Sequence, residues 1–134
     1  MLTALFPIRE TILKELDVLF SNQIEVSRNG VILDTGIEKF ANLGYLVLEP
    51  LPKKSVLDKN RCLVHLTPMG KEYVSTLVGK LVQVASRDDA FWKRCLSKFL
   101  LYMKEEHLVI FFVSQDEEIR NLAIKRIQEL HKEE

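Results

Sequence analysis

The stretch RCLVHLTPMGKEYV, residues 61–74, decides how the chain is read. Cys62, Leu63, Val64 and Leu66 form the dense apolar run expected of a strand. Thr67 suits a helix N-cap, and Pro68 suits the first helical position, where its missing amide hydrogen costs nothing. Tyr73, Val74, Leu77, Leu81 and Val84 then recur with helical period and carry a helix to about residue 86. Working backwards, YLVLEP at 45–50 reads as a partner strand, and LPKKSVLDKN at 51–60 as the loop that returns the chain.

TGIEKFANLG, residues 35–44, reads as a short helix with Ile37, Phe40 and Leu43 on its apolar face. Asp34 or Thr35 can accept hydrogen bonds from its first amides, and Gly44 suits a left-handed C-terminal cap. Residues 5–20 form an earlier helix, with Ile8, Ile12, Leu13, Leu16, Leu19 and Phe20 at helical spacing and Pro7 in its first turn. Residues 21–34 admit two readings. Ile24, Val26, Val31 and Leu33 alternate around Arg28-Asn29-Gly30, which is a hairpin signal. The same stretch also fits a short helix ending at Gly30. The helix is favoured here, because it would complete a helix-turn-helix pair with residues 35–44.

The order helix, Leu43-Gly44-Tyr45-Leu46, basic loop, Leu66-Thr67-x-x-Gly70, helix resembles the winged-helix regulators of the MarR and PadR type over about residues 5–80. The resemblance implies a mainly α-helical fold with a small antiparallel β wing, that is, a winged helix-turn-helix followed by C-terminal helices. It also implies double-stranded DNA as partner. Thr35, Lys39 and Asn42 would then lie on the recognition helix, with Lys39 and Asn42 able to read base edges. Lys53, Lys54, Lys59 and Arg61 would hold phosphates from the wing, opposed there only by Asp58. Such regulators pair as homodimers through helices after the wing, so two recognition helices meet half-sites about one DNA turn apart.

The chain departs from a simple DNA-binding pattern in its charge. Residues 1–78 hold nine basic and nine acidic side chains, and Asp34 and Glu38 flank the recognition positions. That balance suits an alternative: a non-enzymatic interaction module whose winged helix docks on a partner protein.

Residues 1–86 are therefore expected to form the winged-helix domain, and residues 87–134 a helical region for dimerisation or interaction. SRDD at 86–89 breaks the helical pattern. A helix over about 89–105 carries a broad stripe that includes Phe91, Trp92, Leu96, Phe99 and Met103. This stripe either pairs two chains or packs on the chain's own first and last helices. HLVIFFV at 107–113 reads as a buried strand or an extended segment. Ser114 and Glu117 fit a capping box for a last helix running to about residue 131.

Composition bounds the rest. The 134 residues suit one domain with an appended part; 47% are hydrophobic and 28% charged, as in ordinary globular proteins. Lysines plus arginines equal aspartates plus glutamates at 19 each, which argues against a protein that coats nucleic acid by bulk charge. Cys62 and Cys95 read as small buried hydrophobes in a reducing compartment, and the N-terminus lacks a leader pattern, so a cytoplasmic location is expected. No segment has the length of a membrane span. No metal site, cofactor or catalytic set is expected. Cys62 and His65 would point to opposite faces of a strand, His107 and His131 stand apart from other ligand types, and no glycine loop could cradle a phosphate.

Overall fold

The computed structural model describes residues 2–53, 55, 57–87 and 89–132. The fold is mainly helical, with six α-helices and one three-stranded antiparallel sheet among the described residues. In chain order the elements are α1 (Leu2–Leu19), β1 (Gln23–Glu25), α2 (Thr35–Asn42), β2 (Leu46–Pro50), β3 (Arg61–Leu66), α3 (Pro68–Val84), α4 (Phe91–Phe99), α5 (Glu105–Leu108) and α6 (Glu117–Lys132). Short 3-10 turns cover Leu100–Tyr102 and Val109–Val113. The chain folds as two compact units, Thr11–Val74 in one and residues 2–10 with 75–132 in the other. No helix among the described residues is long and apolar enough to cross a membrane.

In the first unit the sheet runs β1-β3-β2, with both neighbours antiparallel to β3. Register is set by Ile24 opposite Cys62 and by Leu46 opposite Leu66. Ile12, Leu16 and Leu19 on α1, Ile37 and Phe40 on α2, and Leu46, Cys62 and Val74 are buried together as its core. The spacing of the three α1 residues matches one face of a helix.

The favoured expectation for residues 21–34 is corrected here. Among the described residues no helix lies between α1 and α2. The chain makes β1 and then a tight hairpin, in which Val26 pairs with Ile32. The Ser27 carbonyl accepts from Gly30, the Ser27 amide donates to the Val31 carbonyl, and the Ser27 hydroxyl accepts from the Val31 amide. Gly30 takes a positive φ of 77° at the turn. The alternation and the Asn-Gly step were thus the stronger signal. A lone helical turn would have left these amides unpaired, whereas the hairpin pairs them locally.

The joint that opened the sequence analysis is built from several bonds at one place. Gly44 adopts φ 86° and ends α2 with a paired cap: its amide donates to the Ala41 carbonyl, and the Tyr45 amide donates to the Phe40 carbonyl. The Thr67 hydroxyl donates to the Gly44 carbonyl and accepts from the Gly70 amide at 3.0 Å, while the Thr67 amide donates to the Tyr45 carbonyl at 3.1 Å. A side chain on Gly70 would run into that Tyr45 carbonyl. The start of α1 also differs from expectation: the helix begins at Leu2, which places Pro7 beyond its first turn.

In the second unit the expected strand at 107–113 is helical. Leu108 and Phe111 are buried at helical spacing, while Val109, Ile110, Phe112 and Val113 are partly exposed. The Lys104 carbonyl accepts from both His107 and Leu108 and starts the turn. The β-branched residues here meet no strand edge to pair with, so their propensity yields to local hydrogen bonding. The cap of α6 is shifted as well. Asp116 accepts from the Glu118 and Ile119 amides, and Ser114 supports it by accepting from the Asp116 amide. The Ile119 amide above all holds the Asp116 carboxyl below its ordinary value; desolvation opposes it, and the Lys93 ammonium and the Glu118 amide reinforce it.

The two glycines at the joint separate two costs. Gly44→Ala meets only ordinary contact with Met69, so it should lose about 1 kcal/mol from left-handed strain. Gly70→Ala meets a backbone carbonyl that cannot rotate away and should lose about 3 kcal/mol. Urea-denaturation midpoints of the two variants would measure the difference, and equal losses would contradict the close approach.

Candidate nucleic-acid interface

α2 is short, and its placement rests on its cap and its two inward residues. The Asp34 carboxylate accepts from the Ile37 amide at 3.0 Å, and the Asp34 carbonyl takes the first helical bond from Glu38. Ile37 and Phe40 are buried. Thr35, Lys39 and Asn42, four and three residues apart, are exposed and share one outer face. The Lys39 ammonium stands 5.5 Å from the centre of the Phe40 ring. Asp34 and Glu38 are exposed on the same short helix, so its surface is not basic overall.

The loop between β2 and β3 carries the other expected cations. Lys53, Lys59 and Arg61 are exposed; Lys54 lies outside the described residues. The loop's base is fixed by the Leu51 amide, which donates to the Arg61 carbonyl, and by the Val26 amide, which donates to the Asn60 carbonyl. The Asn60 side chain in turn donates to the Ser27 carbonyl at 3.1 Å. Asp58 turns back on the loop and accepts from the Ser55 amide. Lys59 lies 3.7 Å from Glu25, with both side chains well exposed. At its far end the loop presents Leu57, 91% exposed.

Cys62 is buried and His65 is exposed, where it bonds Glu49 at 2.8 Å across the sheet. Arg28 was not singled out by the sequence. It sits exposed at the hairpin tip and lines a cleft of about 350 Å³ with Lys53 and Lys59. Following the Asn29-Gly30 hairpin signal would have brought it to the same end of the fold as the loop.

An aromatic group lies behind this surface. Tyr45 and Tyr73 stack at 4.5 Å, and Phe40 packs at about 6 Å from each. The Tyr73 hydroxyl donates to the Glu15 carboxylate at 2.6 Å. Burial first, and then the Glu15 carboxylate, push the Tyr73 phenol from 10.0 up to about 12.

The residues expected to pair two chains occupy a different place. Phe91, Trp92, Leu96, Phe99 and Met103 are all buried within the chain itself. Trp92 packs edge-on to Phe111 at 4.9 Å and to Phe99 at 6.3 Å, and its indole N–H donates to the Ser86 carbonyl. Arg9 lies over the Phe91 ring and bridges to Asp89 at 3.1 Å. The stripe is the core of the second unit; of the two alternatives, it is the packing within the chain that the structure shows. A broad stripe looks the same in sequence whether its own chain or a copy covers it.

No protein family, curated protein or solved structure matches the chain.

A pKa raised in the folded state stabilises the fold below the unfolded value and loses that contribution as pH rises through the folded value. The stability contributed by Tyr73 should therefore be complete below pH 10 and vanish between pH 10 and about 12. Phenolate absorbance should show one tyrosine titrating near 12, and Tyr73→Phe should remove that step. For the buried stripe, Phe99→Ala should cost about 3–5 kcal/mol of stability while leaving the mass by light scattering unchanged; a change in mass without loss of stability would restore the stripe as an interface.

Proposed function

We propose that the protein is a DNA-binding regulator of the winged-helix kind, similar to the MarR and PadR regulators, in a reduced form. The observation that carries this is the element order α1–β1–α2–β2–β3–α3 with a β1-β3-β2 antiparallel sheet. In that arrangement α2 serves as the recognition helix, and the loop between β2 and β3 serves as the wing. The hairpin at Val26–Ile32 stands where a helix-turn-helix would have its first helix. Thr35, Lys39 and Asn42 face the major groove, and Lys53, Lys54, Lys59 and Arg61 meet phosphates. A homodimer would present two copies of α2; because the aromatic stripe is core, such a dimer pairs through another surface.

Fluorescence anisotropy against random duplex DNA at several salt concentrations, with light scattering for the mass, tests this. Binding should weaken steeply with salt. Replacing Lys53, Lys54, Lys59 and Arg61 together by alanine should lower the magnitude of the log–log salt slope by about 3 to 4, since each phosphate contact contributes about 0.9. Unchanged affinity and slope would reject the proposal.

A second function is favoured by one specific feature. Leu57 is 91% exposed at the loop end, and Val31 and Leu33 are 59% and 62% exposed beside the hairpin. Apolar tips of this kind suit docking on a partner protein, as does the balanced charge of residues 1–78. Flat DNA titrations, with a purified partner whose binding is lost on Leu57→Glu, would decide for it.

A further inference from the structure

We propose that the hairpin at Val26–Ile32 is a second phosphate-binding loop, and that Arg28 at its tip forms with Lys53, Lys59 and Arg61 one clamp for a strand of the DNA backbone. This rests on the DNA-binding function proposed above and names a contact that the winged-helix pattern does not supply.

Three clefts that share lining residues carry the inference. The cleft of about 350 Å³ has Arg28 on its hairpin side and Lys53 and Lys59 on its loop side. A second, of about 380 Å³, shares Arg28 and Asn60 with it and adds Arg61. A third, of about 540 Å³, joins Lys53 and Lys59 to Arg61. The two loops that form these walls are tied together: the Asn60 side chain and carbonyl bond the Ser27 carbonyl and Val26 amide, so the hairpin and the loop base hold one geometry.

Charge is segregated to this end. Residues 11–74 hold eight basic and eight acidic side chains. Four of the basic residues line the clefts, against only Glu25 and Asp58 of the acidic ones. Asp58 is engaged with the Ser55 amide. The Lys59–Glu25 pair is exposed and 3.7 Å apart, and such a pair contributes little, so Lys59 is free to exchange Glu25 for a phosphate. Four cations spread over three clefts with shared walls match a polyanion with repeating charges rather than one small anion. Leu33 and Leu57, which border the first cleft, offer apolar contact to the sugars between phosphates. Arg28 is the second residue of the Ser27–Gly30 turn, whose bonds all close on Ser27, so the tip is presented without its guanidinium being needed to hold the turn.

The test uses the full chain and a fluorescein-labelled random duplex between 50 and 200 mM salt. Arg28→Ala should reduce the magnitude of the salt slope by about 1, so that the wild type loses about fourfold more affinity than the variant across that range. Arg28→Lys should keep the slope. Lys125→Ala, an exposed cation on α6, should behave as wild type. Thermal unfolding of Arg28→Ala checks that the fold is retained. If Arg28→Ala keeps the wild-type slope while replacing Lys53, Lys59 and Arg61 lowers it, the clamp is overturned and the DNA-binding function stands. If the wild type shows no salt-dependent binding at all, that function falls and the clamp falls with it.

Discussion

The carbonyl of Tyr45 is the point on which the first unit turns. It accepts the Thr67 amide and sits where a side chain on residue 70 would have to be. Thr67 completes the crossing by bonding both the last carbonyl before Tyr45 and the Gly70 amide in the first turn of α3. Two joints far apart in sequence, the exit from α2 and the entry to α3, are thereby locked together. β2 leaves the first joint and β3 enters the second, so the register of the hairpin between them follows. The loop at 51–60 is then held at one end of the sheet, beside the turn that precedes α2. The stacked tyrosines repeat the same linkage in apolar form, since Tyr45 follows α2 and Tyr73 lies on α3.

Charge in this protein matters by position rather than by amount. A net charge of zero gives no general attraction to nucleic acid. Short-range contacts still depend on local density, because salt screens charges more than about 10 Å apart. The loop and hairpin gather cations at one end, while Glu15 is occupied by Tyr73 and Asp34 by the Ile37 amide. Neither carboxylate lines the clefts, so counting their charges against the cations there understates how basic the cleft end is.

The second unit shows the same limit from the apolar side. Its core is a tryptophan surrounded by Phe91, Phe99 and Phe111, with the indole N–H satisfied by a backbone carbonyl. A large aromatic with its one polar atom bonded inside the chain has no need of a second copy to cover it. Only part of the dense run at 107–113 is buried, because a helical turn aims two of its seven residues inward where a strand would have aimed about half.

Much of the architecture was legible in residues whose effects are local. Helical spacing marked α1, α2, α3, α4 and α6, and the Leu46–Pro50 and Arg61–Leu66 strands were placed within a residue. Thr67 and Gly44 were recognised as caps, and Asp34 as one of two candidates with Thr35, because capping depends on groups only a few positions away. Thr35, Lys39, Asn42, Lys53, Lys59 and Arg61, singled out through the winged-helix resemblance, are exposed. What only the tertiary structure decided depends on residues distant in the chain. β1 needs β3 to exist as a strand, so its three residues gave too short a signal. Within 21–34 the hairpin signal was legible beside the favoured short helix ending at Gly30; the structure shows the local bonds of Ser27 with Gly30 and Val31 and adds Asn60, remote in sequence, which ties the hairpin to the loop. The aromatic stripe became core because other helices of the same chain cover it, and Arg28 joined the cationic end because two loops more than twenty residues apart are bonded at their bases. Periodicity tells which face of an element is apolar; contact between remote residues tells what that face meets.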